Sequence, residues 1–141
     1  MSADAARQQF GRTAADYVQS SVHALGADLQ TLVAAARPSP QGIVLDTGTG
    51  TGHTALALAP HVRLVIALDL TPQMLAAARR LAAGRGAANV HLVEGAAEQT
   101  PLSSRSCHLV TCRVAAHHFA NLHLAAVEMA RVLRPGAGSS W

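Results

Sequence analysis

Ile43-Val-Leu-Asp-Thr-Gly-Thr-Gly-Thr-Gly-His-Thr-Ala-Leu-Ala-Leu58 decides how the rest of the chain is read. Ile43-Val44-Leu45 is a short continuous apolar run, the pattern of a strand buried on both faces. Three glycines then alternate with threonines, and from about His53 to Ala59 the residues suit a short helix closed by Pro60. That order puts a glycine-rich turn at the carboxyl end of a strand. A backbone without Cβ atoms adopts unusual dihedrals there and lets a ligand come close. Asp46 stands at the junction.

The same grammar continues outward. Leu64-Val-Ile-Ala-Leu68 reads as a second buried strand ending in Asp69. Thr71 suits an N-cap and Pro72 the first helical position. The helix they open carries Met74, Leu75, Ala78 and Leu81, and Gly84 is a natural stop. Val90-His-Leu-Val93 is the third strand and His108-Leu-Val-Thr-Cys112 the fourth. Asn121 caps a last helix in which Leu122, Ala126, Met129, Ala130 and Leu133 share one face, and Arg134-Pro135-Gly136 ends it. Ahead of the first strand, Thr13-Ala-Ala-Asp16 has capping-box spacing with Asp in place of Glu. Tyr17, Val18, Val22, Leu25, Leu29, Leu32 and Val33 follow at helical spacing. Gly26 offers a point of division, and Pro38 and Pro40 stop that helix by Arg37. Strands alternating with helices predict an α/β fold, an open and mainly parallel sheet with helices on both faces.

With 141 residues the chain is one domain or a piece of one. Half the residues are apolar and 13% are charged, so a core forms and disorder is excluded. All eleven cations are arginine, spread from Arg7 to Arg134, and the net charge is +3. A nucleic-acid surface would cluster them and interleave aromatics, so no nucleic-acid partner is expected. Cys107 and Cys112 fit no zinc or redox spacing and read as small buried thiols in a reducing cytosol. Asp4 and the lack of a continuous apolar region argue against a signal peptide. No apolar run reaches the ~18 residues that span a bilayer. The expectation is a soluble, cytoplasmic protein.

In open α/β sheets ligands bind outside the carboxyl ends of the strands, where the strand order reverses. A dinucleotide site wants G-x-G-x-x-G. Here the third glycine comes one residue early, and His53 occupies the place reserved for glycine. An acid before the loop, Asp46, suits a ligand with a cationic group better than one with two phosphates. Asp69, ending the second strand, can accept hydrogen bonds from both hydroxyls of a ribose. The ligand these residues ask for is a nucleoside lying across two strand ends with a positive group near Asp46. S-adenosyl-L-methionine meets both requirements, and a nicotinamide dinucleotide is the alternative.

Val44-Leu-Asp-Thr-Gly-Thr-Gly-Thr-Gly52, Ala67-Leu-Asp-Leu-Thr-Pro-Gln-Met74 and Gly95-Ala-Ala-Glu-Gln-Thr-Pro-Leu102 are similar to the successive cofactor motifs of class I S-adenosylmethionine-dependent methyltransferases. The branch they resemble is methyltransferase type 11, related to the ubiquinone/menaquinone C-methyltransferases. Thr111-Cys-Arg-Val-Ala-Ala-His-His-Phe119, Glu128-Met-Ala-Arg-Val-Leu-Arg-Pro-Gly136 and Phe10-Gly-Arg-Thr-Ala-Ala-Asp-Tyr-Val18 extend the resemblance over roughly residues 10–136. It implies a Rossmann-like core at 42–141 and an N-terminal helical segment at 1–41 covering the cofactor site. By the same resemblance Gly48, Gly50 and Gly52 form the turn under the methionine part, with Asp46 near its amino group. Asp69 would hold the ribose, and Leu70 and Met74 would pack on the adenine. Ala97 and Glu98 would line the adenine edge, Arg113 with Val114 would lie under the sulfonium, and Tyr17 would close the site. Many relatives carry Asp after the glycine of the third motif. Here that position is Ala96, so Glu98 or a backbone carbonyl must accept from the adenine amino group, at a cost of about 0.5–1.5 kcal/mol.

No metal site is expected from the eight histidines, since the adjacent pair His117-His118 does not face one way on a helix. The resemblance puts that pair on the acceptor side, while His53 would pack near the cofactor carboxylate. No catalytic residue is assigned. The family's sheet has seven strands, and the chain ends at Ala137-Gly-Ser-Ser-Trp141 after four, which leaves the fourth strand as an exposed edge open to self-association. Three readings stand: a methyltransferase, or its cofactor-binding portion, acting on a small-molecule acceptor; a nicotinamide-dependent oxidoreductase fragment; and a non-catalytic nucleoside-binding remnant.

Overall fold

The computed structural model describes residues 28–112 and 119–140. The stretches carrying Thr13, Asp16 and Tyr17, and Arg113, Val114, His117 and His118, lie outside the described residues. Helix α1 occupies residues 28–36. It is followed by β1 (Ile43–Thr47), α2 (His53–Leu58) with a 3-10 turn at Ala59–His61, and β2 (Leu64–Asp69). Then come α3 (Pro72–Gly84), β3 (Val90–Glu94), β4 (Cys107–Thr111), α4 (Leu122–Val132) and β5 (Leu133–Ser140). The strands form one sheet in the order β3-β2-β1-β4-β5, and every pairing is parallel. The order reverses between β1 and β4, which places a switch point at the carboxyl end of β1.

The alternation of the pleat explains the two-sided core. Val44 pairs with Val65 and Leu109, and these residues pack with Leu32 of α1 and Ala55 and Leu58 of α2. Their neighbours Leu45 and Val110 belong to the other cluster, with Leu68, Cys107, Ala125, Met129 and Val132. Cys107 and Cys112 are both buried, as small apolar groups should be. Among the described residues no helix is long and apolar enough to cross a membrane.

Two expectations are corrected. The sheet has five strands among the described residues, where the sequence reading counted four. α4 ends at Val132, and β5 starts at once with Leu133 beside Cys107. The next paired residues are Leu109 and Gly138, so β5 spends five residues where β4 spends two. Pro135 and Gly136 (φ 82°) sit in that bulge. Residues that looked like the end of an element mark an irregularity in an edge strand, where a missing N–H is tolerated. β4 is therefore paired on both sides, and the self-association expected along its edge has no free edge there; the outer strands are β3 and β5. The second correction concerns α4. Ala125, Met129 and Val132 are its buried residues, whereas Leu122 is 51% exposed and Ala130 is exposed. That stripe missed Ala125, which is fully buried in the cluster with Leu45 and Val110.

Candidate functional site

The loop after β1 owes its composition to its backbone. Gly48, Gly50 and Gly52 have φ of 65°, 58° and 89°. Left-handed geometry costs an L side chain roughly 1–2 kcal/mol, so every second residue must be glycine for this path. Gly52 is also the N-cap of α2, and a Cβ there would lie 3.2 Å from the Cβ of Ala78 in α3. A Cβ on Gly50 would meet nothing within 4 Å, so its backbone faces open space.

The threonines and aspartates brace this path. Asp46 is only 2% exposed; its Oδ2 accepts from the Thr49 hydroxyl at 2.6 Å and its Oδ1 from the Thr111 hydroxyl at 2.7 Å. The carboxylate thus ties the loop to the ends of β1 and β4. Thr49 N–H donates to the Leu68 carbonyl at 2.8 Å, fastening the loop to β2.

Asp69 accepts from Gly50 N–H at 2.7 Å on Oδ2 and from Thr71 N–H at 2.9 Å on Oδ1. Its own carbonyl accepts from Gly95 N–H at 2.9 Å. Burial pushes the Asp69 carboxyl above its usual range, and the N–H groups of Thr71 and Gly50 pull it back. The Thr71 hydroxyl and the Leu70 N–H pull it down as well, so the carboxylate stands among four donors.

Past β3, Ala96 and Gln99 form an isolated bridge that closes a tight arch. Ala97 is buried against Leu45 and Leu68, and Glu98 stays half-buried, its carboxyl raised by desolvation. Beyond the arch, Thr100 N–H donates to Glu128 of α4 at 2.8 Å. The Arg131 guanidinium beside Glu128 holds that carboxyl down at about 2.

Asp46, Gly48, Gly50, Gly52, Asp69, Leu70, Ala96, Ala97 and Glu98 thus gather around the carboxyl ends of three adjacent strands. Met74 sits apart from solvent at 1% exposure, and Leu70 is half-buried. Tyr17 and Arg113 fall outside the described residues. Sequence reasoning missed Thr49 and Thr111, whose bonds to Asp46 have no local signature across 65 residues in the second case. It also missed Glu128 and Arg131, although acid and base three apart on a helix was a usable signal. Among the described residues no group of three or more His, Cys, Asp and Glu could hold a metal ion.

Known proteins share this arrangement. A family described as "Methyltransferase domain" matches residues 44–136. An uncharacterized methyltransferase of Bacillus subtilis, YcgJ, is 40% identical over 125 residues, which are 89% of this chain and 49% of that protein. A demethylmenaquinone methyltransferase of Chlorobaculum tepidum is 38% identical over 95 residues, 66% of this chain and 37% of that protein. The crystal structure of the Bacillus subtilis YcgJ protein superposes with a TM-score of 0.76 at 39% identity, covering 77% of this chain and 47% of that one. The chain therefore spans about half the length, or less, of these relatives.

Proposed function

The chain belongs to the methyltransferase domain family, and from that membership we propose that it transfers a methyl group from S-adenosyl-L-methionine to a small-molecule acceptor, or forms the cofactor-binding portion of a longer protein that does. One observation carries the reading: Asp69, at the tip of β2, sets a half-buried carboxylate against the Gly50 backbone, whose N–H it holds at 2.7 Å beside open space. A ribose diol needs an acceptor of that kind beside a backbone it can lie against.

The residues present fit the cofactor. Asp69 accepts from the ribose hydroxyls, Gly48, Gly50 and Gly52 present main chain to the methionine part, and Asp46 keeps a negative charge beneath the loop toward the cationic groups. Leu70 offers apolar surface to the adenine, with Met74 beneath it as packing, while the arch from Ala96 to Glu98 follows the purine edge. Tyr17 and Arg113 complete the site in this reading.

The bound cofactor supplies an electrophilic methyl group on a sulfonium whose leaving group is already in place. What the chain adds is orientation and exclusion of water. A base is needed only when the acceptor must lose a proton first, and His117 and His118 are placed by sequence on that side. The reading puts the chain in the cytoplasm, where two buried thiols stay reduced.

Calorimetric titration with S-adenosylhomocysteine, with NADH as the competing ligand, tests the proposal. Binding of the former and neither heat nor saturation with the latter is the expected outcome, and the reverse pattern would point to an oxidoreductase. Methyl release from labelled cofactor then separates an enzyme from a binding remnant.

A further inference from the structure

Residues 95–106 join β3 to β4 with no helix or strand of their own beyond the Ala96–Gln99 bridge, yet the purine edge is assigned to this segment. Its order comes from α4. Glu128 Oε2 accepts from Thr100 N–H at 2.8 Å and from the Thr100 hydroxyl at 3.2 Å. The Arg131 guanidinium donates to Glu128 Oε1 at 2.6 Å and Oε2 at 3.0 Å. It also donates to the Leu102 carbonyl at 2.8 Å, the Ser104 hydroxyl at 3.1 Å, and the Thr100 hydroxyl and carbonyl at 3.3 and 3.4 Å. Arg105 N–H returns to the Arg131 carbonyl at 2.9 Å. The Thr100 hydroxyl donates to Glu128 and accepts from Arg131, so each of its bonds fits one charge state of the pair.

An exposed acid–base pair three apart on a helix contributes little by itself. This pair differs because its remaining donors and acceptors go to backbone groups and a hydroxyl of a loop 27–31 residues away. The arch from Ala96 to Gln99 is thereby held at two points: Gly95 N–H on the Asp69 carbonyl at one end, Thr100 on Glu128 at the other. Because position 96 is Ala, no side chain there can accept from a purine amino group. Recognition falls to the arch carbonyls and Glu98, whose positions depend on both anchors. We infer that Glu128 and Arg131 are positioning residues that set how well the cofactor site distinguishes adenine from other purines. The inference rests on the methyltransferase reading above.

The test compares wild type, Glu128→Ala, Glu128→Gln and Arg131→Lys in binding S-adenosylhomocysteine and its inosine counterpart, together with amide hydrogen exchange. Exchange at Thr100 and Arg105 should speed up at least about tenfold in Glu128→Ala while the β1 and β2 amides keep their protection. Affinity for the adenosine ligand should fall about five- to tenfold, the inosine ligand should change less, and the preference between them should narrow. Glu128→Gln, which keeps length and one acceptor oxygen, should recover part of the preference. It also supplies the readout should the alanine variant fail to fold. Faster exchange with an unchanged preference in every variant overturns this inference alone. A wild-type chain that binds no S-adenosylhomocysteine overturns the methyltransferase reading and this inference with it.

Discussion

At the carboxyl ends of β1 and β2, two aspartates gather N–H and O–H groups around a loop that leaves open space beside Gly50. At the amino ends of the same sheet, Arg37, His108 and Arg134 line a cavity of about 400 Å³. The polar groups of this second region are occupied with ending elements. Arg37 N–H closes α1 on the Val33 carbonyl at 3.2 Å, and His108 Nδ1 accepts from Ile43 N–H at 3.0 Å where β1 begins. Arg134 approaches the other His108 nitrogen at 3.1 Å. The carboxyl end is bonded just as thoroughly, but there the bonds from Gly50 and Thr71 N–H to Asp69 shape a glycine loop at the strand tips. The two ends differ in what their hydrogen bonds hold, a loop path at one and the starts and stops of elements at the other, and volume alone does not report that.

The contrast can be broken most forcefully at Gly52. Gly52→Val puts a branched side chain at φ 89° and 3.2 Å from Ala78. A loss of about 3 kcal/mol in denaturant unfolding is expected. Gly50→Ala should lose only the strain, about 1–2 kcal/mol, because no atom lies near its Cβ. Equal losses at the two positions would remove the distinction between a packed and an open glycine.

Asp46→Ala comes next. It orphans the buried hydroxyl bonds of Thr49 and Thr111, and about 2 kcal/mol of stability should go with them. An unchanged midpoint would show that Asp46 does not brace the loop.

Asp69→Ala should weaken S-adenosylhomocysteine at least tenfold, about 1.4 kcal/mol, by calorimetry. The wild-type pH profile sharpens the same point. The ionised carboxylate is the better acceptor, and burial raises its pKa. Affinity should therefore start to fall, as pH is lowered, above the ordinary aspartate value of about 3.9. A profile flat down to that value would detach Asp69 from the ligand.

At the amino end, His108→Ala should cost about 1 kcal/mol of stability by freeing Ile43 N–H, with ligand affinity unchanged. A loss of affinity there would erase the division between the two ends.

The apolar runs at 43–45, 64–68, 90–93 and 108–112 each fall within a residue or two of an observed strand, because parallel strands buried on both faces need a local string of apolar residues. Thr71 and Asn121 announce α3 and α4, and Asn121 accepts from Leu124 N–H at 3.0 Å as a cap should. β5 was hidden because Pro135 and Gly136 are breakers in most settings, and only the neighbouring β4 turns them into a bulge. The buried face of α4 was misread because helical spacing fits a stripe through Ala126 as well as one through Ala125, and only packing against the sheet chooses between them.

The identity of β1 to β4, the alternation of glycine and threonine, and the two aspartates at strand ends were decided by the sequence. Each reflects a preference of a few consecutive residues for a backbone conformation or for burial. Which groups those aspartates hold, how β5 closes on β4, and how α4 anchors the arch after β3 were decided by tertiary structure. Those bonds join residues 19 to 65 positions apart, and their partners become neighbours only when the sheet assembles.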